Sequence, residues 1–167
     1  MIARSPPLPF NDLTERVGLL QLRDFRMADF ESVYRLDQAC FEPGIAYERS
    51  ELRRFLSLST AQSIVVELEG RIVGFAVGYI SVRQFGHVVT LDVAQEHRRR
   101  GIGTDLLLEL LRRFGAAFVV EVRLEVDMGN ETAISFYERF GFQRKRRLAD
   151  YYGPNRPAWE MRLKMKS

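Results

Sequence analysis

The stretch HRRRGIGTDLL, residues 97 to 107, decides how the rest of the sequence is interpreted. Three arginines run directly into Gly101-Ile102-Gly103, and a leucine-rich helical pattern begins at once. A helix N-terminus has backbone N–H groups without intrahelical partners and is the positive end of the helix dipole. Glycines here let an anion approach those N–H groups closely. The stretch therefore predicts either an anion-binding helix start or an ordinary charged turn before a helix.

Two common phosphate-binding motifs do not fit this stretch. A P-loop ends in Gly-Lys-Ser/Thr, whereas the second glycine here is followed by Thr104 and Asp105. A dinucleotide fingerprint needs a third glycine at a position that carries another residue in this chain. If this helix start binds an anion, it therefore does so as neither a P-loop nor a dinucleotide-binding motif.

Composition and length predict one folded domain of ordinary size. The chain has 167 residues, 46% apolar and 28% charged, which is typical of soluble globular proteins. No apolar run approaches the roughly 20 residues that span a bilayer, and the N-terminus lacks a signal-peptide core, so we expect a cytoplasmic protein without membrane contact. A formal charge of +3 is too small to indicate nucleic-acid binding. Cys40, the single cysteine, has no partner at metal-ligand spacing and is expected to pack in the core, so no metal is predicted.

The hydrophobic periods predict a mixed α/β domain over residues 19–167, after a loose lead-in over 1–18. The predicted element order is β-α-α-β-β-β-α-β-α-β-β. The predicted strands cover 19–23, 63–68, 71–81, 87–93, 119–127, 142–147 and 158–164. Four helices are predicted. The first begins after residues 24–29 and the second covers about 48–58. The third begins after the arginine-glycine stretch and ends at Gly115, and the fourth begins at an Asn130 cap and ends at Gly141.

Two segments of the chain together resemble the GNAT family of acyl-CoA-dependent acetyltransferases. LDVAQEHRRRGIGTDLLLELL is similar to the family's motif A, whose glycine signature falls on Arg98 to Gly103. RLEVDMGNETAISFYERFGF is similar to motif B, with Asn130, Ala133, Tyr137 and Gly141-Phe142 in place. The weaker resemblance extends from about residue 19 to 163 and is greatest to the RimI-type N-terminal acetyltransferases. It implies a single-domain GNAT fold, with a mixed sheet of six to seven strands and about four helices, splayed at the cofactor site.

The resemblance implies that the anion at the helix start is the diphosphate of acetyl-CoA, with coenzyme A as the product. Backbone N–H groups of the strand at 91–93 would hold the thioester carbonyl, an arrangement suited to acyl transfer. The diphosphate would lie on the N–H groups of 99–104, and Asn130 would contact the pantetheine arm or serve only as a helix cap. The residues implied for the coenzyme are Leu91, Asp92, Val93, Arg98, Arg99, Arg100, Gly101, Ile102, Gly103, Thr104, Asn130, Ala133 and Tyr137.

The resemblance also implies two catalytic residues, because an amine attacks a thioester only when it is neutral. Glu125 would be the general base and Tyr137 the acid that protonates the departing thiolate. Each also has a simpler interpretation. Glu125 shares a strand face with Glu121 and Arg123, as it would on an ordinary solvent-exposed strand face. Tyr137 lies on the apolar stripe of its helix, where its role would be packing alone.

Further polar and aromatic residues are candidates for the acceptor side. Phe41, Glu42 and the Tyr151-Tyr152 pair are predicted to contact the acceptor, with Glu42 able to bind its amine. His87 begins a predicted strand and is an alternative that faces the site, whereas His97 is predicted to be a solvent-facing turn residue. Where RimI-type sequences have an acidic pair, this chain has Pro157-Ala158-Trp159-Glu160, which leaves acceptor choice open.

The predicted reaction is acetyl transfer from acetyl-CoA to a primary amine, with a protein or peptide N-terminus as the leading acceptor. Lysine side chains, a polyamine or an antibiotic amine are alternatives within the fold, although no clear acidic cluster marks the acceptor loops. A non-catalytic acyl-CoA sensor, or an RNA-associated module that uses Arg144 to Arg147, is the alternative of another class. We expect a monomer or homodimer that binds no nucleic acid directly.

Overall fold

A computed structural model of the protein describes residues 20–166, and the predicted lead-in over 1–18 lies outside them. The strands are β1 (Leu20–Asp24), β2 (Ala61–Leu68), β3 (Arg71–Ile80), β4 (Gly86–Val93), β5 (Glu121–Asp127), β6 (Gln143–Leu148) and β7 (Ala158–Lys164). The α-helices are α1 (Phe30–Cys40), α2 (Arg49–Leu56), α3 (Ile102–Ala116) and α4 (Glu131–Arg139). Single 3-10 turns precede α1 and follow β4. The predicted element order is confirmed.

The strands form one mixed sheet in the order β1-β2-β3-β4-β5-β7-β6. All neighbours are antiparallel except β4 and β5, which are parallel. That parallel pair makes only two cross-strand pairings, Gly86 with Val122 and His87 with Arg123. Beyond His87 the two strands separate, so the predicted splay is confirmed and the sheet opens at its centre.

Helices cover both faces of the sheet. One core cluster joins α1 and α2 to the sheet and includes the fully buried Val33 and Leu52. The other joins α3 and α4 to the opposite face and includes Leu106, Leu110 and Ile134, each with no exposed surface. The two layers hold β4 and β5 in place, so the opening between these strands is part of a rigid framework.

Two predicted element ends are wrong for local reasons. Gly115 was expected to end its helix, but α3 continues to Ala116 and the left-handed position after it belongs to Phe118, with φ of +59°. The strand predicted to begin at 119 begins at Glu121, and Val120 is 69% exposed although it continues the apolar alternation. Alternation shows which face a residue occupies, but it does not show where the opposite helix layer ends. Gly141, with φ of +94°, follows α4 as predicted.

Candidate active site

A cleft of about 880 Å³ lies where β4 and β5 separate. Its walls come from the end of α1 and the loop after it, both separated strands, the start of α3, α4 and the β6–β7 loop. Every residue predicted for acetyl-CoA lines this cleft except Arg100. Glu125, Phe41, Glu42 and Tyr152 also line it, whereas Tyr151 does not.

The start of α3 forms the cationic end of the cleft. Gly101 has φ of +87° and Arg99 has φ of +61°, so the chain turns sharply before the first helical residue. No side chain caps this helix, and the first N–H to reach an intrahelical acceptor is that of Asp105, which donates to the Gly101 carbonyl at 3.0 Å. The N–H groups of residues 102–104 therefore have no acceptor within the helix, and they fit the oxygens of a diphosphate.

The free edge of β4 faces the cleft beyond His87. On this edge the Val93 carbonyl accepts a hydrogen bond from Arg98 Nε at 2.9 Å instead of one from β3. Neighbouring residues of an antiparallel strand direct their backbone groups to opposite edges. The N–H of Leu91 therefore shares the cleft-facing edge, whereas the N–H of Asp92 points to β3. Leu91 and Val93 are the residues of this strand that present N–H groups to a ligand.

Glu125 is hydrogen-bonded to a histidine where the strands part. The Glu125 Oε2 atom lies 2.6 Å from His87 Nε2, and His87 Nδ1 lies 2.9 Å from the Tyr79 hydroxyl. The Glu125 and His87 side chains are 16% and 21% exposed, so both are mostly removed from solvent without being sealed in. The parallel pairing of His87 with Arg123 places the histidine beside Glu125, two residues further along β5. His87 was an open alternative in the sequence, and the structure makes it the partner of the predicted base.

Tyr137 lies on α4 and is 9% exposed, with its ring packed edge-on against Phe136 and Phe142. It lines the cleft as well, so its packing role is confirmed and its role as the acid stays a prediction. Burial, and then the charge of Asp92, raises the pKa of the Tyr137 phenol. The phenol therefore keeps its proton at neutral pH and can donate it inside the cleft.

The end of the cleft beside Glu125, where the acceptor residues were predicted, is closed by contacts between distant loops. Arg156, in the β6–β7 loop, lies 3.1 Å from Glu42 of the α1–α2 loop and 3.6 Å from Asp127. Tyr152 donates a hydrogen bond to the Glu125 carbonyl at 3.4 Å and packs edge-on against Tyr151. Glu42, Asp127 and Glu125 thus lie at one end of the cleft, an acidic grouping that the linear sequence did not reveal.

Three other predictions about side chains have clear outcomes. His97 was expected to face solvent, but it is half-buried in the 3-10 turn after β4 and lines the cleft. Trp159 and Glu160 of the altered segment are absent from the cleft wall, and Glu160 is buried in ion pairs with Arg146 and Arg162. Cys40 is half-buried, with Sγ 3.5 Å from the Val93 carbonyl, and lines the cleft instead of packing in the core.

Among residues 20–166, no helix is long and apolar enough to cross a membrane. The same residues contain no cluster of three or more His, Cys, Asp or Glu side chains suited to a metal ion.

Comparison with known proteins gives consistent matches. A family model described as "Acetyltransferase (GNAT) family" matches residues 30–142. A curated N-alpha-acetyltransferase from Sulfurisphaera tokodaii is 28% identical over 153 residues, which cover 84% of this chain and 90% of that protein.

Solved structures match over almost the whole described chain. The ribosomal-protein-S18-alanine N-acetyltransferase from Escherichia coli has a TM-score of 0.81 at 19% identity, covering 89% of this chain and 96% of its own. At that identity the similarity shows the fold. Ard1 from Thermoplasma volcanium has a TM-score of 0.79 at 30% identity and covers 89% of this chain and 99% of its own.

Proposed function

Because the chain belongs to the GNAT acetyltransferase family and is an acetyl-CoA-dependent acetyltransferase, we propose that it acetylates the N-terminal α-amine of a protein or peptide. The observation that supports the proposal is the hydrogen bond between the Glu125 carboxylate and the His87 imidazole, which lies where β4 and β5 separate. The similarity to a protein named N-alpha-acetyltransferase over most of both chains supports this choice of acceptor.

The cationic end of the cleft would hold the coenzyme, which supplies an acetyl thioester when bound. The N–H groups of residues 102–104 and the nearby Arg98 and Arg99 side chains would bind the diphosphate. The N–H groups of Leu91 and Val93 would bind the thioester carbonyl and stabilise the negative charge that develops on its oxygen. Asn130 accepts a hydrogen bond from the Ala133 N–H at 3.1 Å, and its amide nitrogen is left to donate to a ligand.

Glu125 and His87 would act together as the base. A free α-amine has a pKa of about 8, so about one molecule in five is neutral near pH 7.4, against about one in a thousand for a lysine side chain. A carboxylate paired with an imidazole can take up the remaining proton, either directly or through a water molecule. The 2.9 Å contact between His87 and the Tyr79 hydroxyl orients the ring toward Glu125.

Tyr137 would act as the acid. Because its phenol keeps its proton at neutral pH, it can donate that proton to the departing sulfur. This division of work assigns proton uptake to β4 and β5 and proton delivery to α4, and it needs no covalent enzyme intermediate.

The loops around Glu42 and Arg156 would form the acceptor entrance, with Phe41 and Tyr152 as its walls. A polyamine is the second candidate acceptor, because Glu42, Asp127 and Glu125 lie at this end. Arg156 pairs with the first two carboxylates and so reduces the negative charge that a polyamine would meet. This neutralisation favours a peptide with a single amine.

The test is an acceptor panel assayed by thiol release and mass spectrometry. The panel contains peptides with free or blocked N-termini, each with and without lysine, together with spermidine. We expect acetylation of the free N-termini only, and a loss of about 100-fold in kcat for Glu125→Gln.

The matched control is Glu121→Gln, because Glu121 lies on the same face of β5 but pairs with Arg123 outside the cleft. It should stay close to wild type. Transfer to lysine or spermidine alone would overturn the proposed acceptor, and equal losses in the two variants would overturn the role of Glu125.

A further inference from the structure

Two buried carboxyl groups lie beside the cleft and take no part in the steps above. Asp37, on α1, has no exposed surface, and Asp92, on β4, is 2% exposed. Asp37 Oδ2 accepts hydrogen bonds from the Tyr47 N–H at 2.9 Å and from Gln38 Nε2 at 3.3 Å. Asp92 Oδ1 accepts one from the Thr90 hydroxyl at 2.8 Å. The other oxygens, Asp37 Oδ1 and Asp92 Oδ2, are buried and have no partner among the described residues.

A single proton shared between the carboxyls accounts for both unpartnered oxygens. The two groups are within hydrogen-bonding reach of each other. A proton on Asp92 would supply a donor, and Asp37 would accept it. Two adjacent carboxylates out of solvent cannot both ionise at neutral pH. Burial, and then the neighbouring Asp37, raises the pKa of Asp92 well above its ordinary value, and burial raises the pKa of Asp37 to about 6.

The groups that face the pair do not replace this proton. They are Cys40, Tyr47, Tyr137 and Arg98. Burial and then the charge of Asp92 raise the pKa of the Cys40 thiol to about 11, and burial raises the pKa values of both tyrosines, so these three are neutral. Arg98 is the one cation of this group, and its Nε donates to the Val93 carbonyl.

The pair connects the acceptor loop, residues 41–48, to the coenzyme strand. Asp37 holds the Tyr47 N–H, and the Tyr47 hydroxyl donates to the Val89 carbonyl of β4 at 3.2 Å. Asp92 belongs to β4 itself, one residue from the N–H groups of Leu91 and Val93. One buried contact thus links α1 and the acceptor loop to the strand that would hold the thioester.

We propose that Asp37 and Asp92 are positioning residues that share one proton, and that this proton keeps the acceptor loop docked on β4. Loss of the proton places two negative charges in contact. β4 is held by β3, so α1 and the acceptor loop would move. The inference rests on the proposed function in one respect, namely that residues 41–48 bind the acceptor.

The sign of the pH effect follows from the direction of the shifts. A carboxyl whose pKa is higher in the folded than in the unfolded protein holds its proton more tightly after folding. It contributes stability below its unfolded pKa, and this contribution is lost as pH rises through its folded pKa. The shared proton is the one on Asp92, whose pKa is raised well above its ordinary value, so stability should fall with rising pH through a range in which an ordinary exposed carboxylate no longer titrates. Docking of the acceptor loop should decline where that proton is lost.

Asp92→Asn is the decisive variant. Its amide Nδ2 donates permanently to Asp37, and its Oδ1 still accepts from Thr90, so the variant mimics the protonated pair at every pH. Thermal midpoints and KM values for acceptor and acetyl-CoA would be measured from pH 5.5 to 9.5. Relative to Asp92→Asn, the wild-type midpoint should fall by about 3 to 5 °C per pH unit until the shared proton is lost.

The kinetic readout separates positioning from stability. Over the same pH range the wild-type acceptor KM should rise at least threefold relative to that of Asp92→Asn, with no such change in the ratio of acetyl-CoA KM values. The titration of the acceptor amine is common to both proteins and cancels in the ratio. The assay uses whichever amine the acceptor panel identifies.

Glu109→Gln is the matched control. Glu109 is also a buried carboxylate, 4% exposed, but Arg112 lowers its pKa and it lies outside the cleft. Glu109→Gln should leave unchanged the fall of the thermal midpoint with rising pH. If Asp92→Asn does not fold, Asp37→Asn serves, because its amide can donate to Asp92 instead. If the thermal midpoints of wild type and Asp92→Asn depend on pH in the same way, the shared proton is overturned. If the thermal midpoints differ but the acceptor KM values do not, the positioning role is overturned.

Discussion

The two ends of the cleft are built in different ways. The coenzyme end, where we propose that acetyl-CoA binds, comes from short continuous segments: the arginine-glycine turn into α3, and the start of α4 with its Asn130 cap. The acceptor end, where we propose that the amine binds, comes from side chains that are far apart in the chain. Its Arg156–Glu42 contact joins residues 114 positions apart, and the His87–Glu125 contact joins residues 38 apart.

This difference reflects the chemistry of each ligand. A diphosphate can be bound by backbone N–H groups, which every residue except proline supplies, so a local turn with glycines is sufficient. An amine must be deprotonated and oriented, and this requires several side chains in one place. Substitutions at the two ends should therefore separate kinetically, with effects on coenzyme KM at one end and on acceptor KM at the other.

The largest effect is expected where the two ends meet, at Tyr137. Tyr137→Phe removes the phenol proton and keeps the packing of the ring, so kcat should fall about 100-fold with little change in either KM. Steady-state kinetics with both substrates varied would measure this. Tyr34→Phe, a hydroxyl deletion on α1 outside the cleft, is the control. An unchanged kcat in Tyr137→Phe would leave the residue with a packing role alone.

The next effect concerns the turn at the coenzyme end. Gly101→Ala adds a Cβ at φ of +87°, where the nearest atom is 4.0 Å away, so the cost is backbone strain alone. That strain is about 1 to 2 kcal/mol. If the free turn relieves it by leaving the geometry that binds the diphosphate, the coenzyme KM should rise roughly 5- to 30-fold and the acceptor KM should be unchanged.

Gly70→Ala is the matched control for this turn. Gly70 has φ of +78° in the β2–β3 turn, with open space around the added Cβ. It should lower the free energy of unfolding by a similar amount while the coenzyme KM stays at the wild-type value. A rise in the acceptor KM of Gly101→Ala would argue against separate ends.

The smallest effect is expected at the acceptor entrance. Arg156→Ala frees Glu42 to bind the acceptor amine, so the acceptor KM should fall, by at most about fivefold for an exposed ion pair. Stability should change by less than about 0.5 kcal/mol. Arg144→Ala, which removes a similar ion pair with Glu138 on the surface, should not alter either KM. A rise in the acceptor KM of Arg156→Ala would instead indicate that Arg156 contacts the acceptor itself.

The order of the elements and the family were both predictable from the sequence. The family prediction from the two motifs is confirmed by the family model over 30–142. These features depend on hydrophobic periods and on residues close together in the chain, such as Asn130 and the glycine that follows α4. Errors arose where distant contacts decide, as at Val120, whose exposure depends on where the helix layer ends.

The sequence by itself determined the α/β order, the turn into α3 and the Asn130 cap, because periodicity and helix capping act over a few residues. Only the tertiary structure decided which side chains lie around Glu125 in the cleft. The two pairings between β4 and β5 place His87 beside Glu125, and α1 packs Asp37 next to Asp92. Such contacts follow from strand register and helix packing over the whole sheet, which no local pattern records.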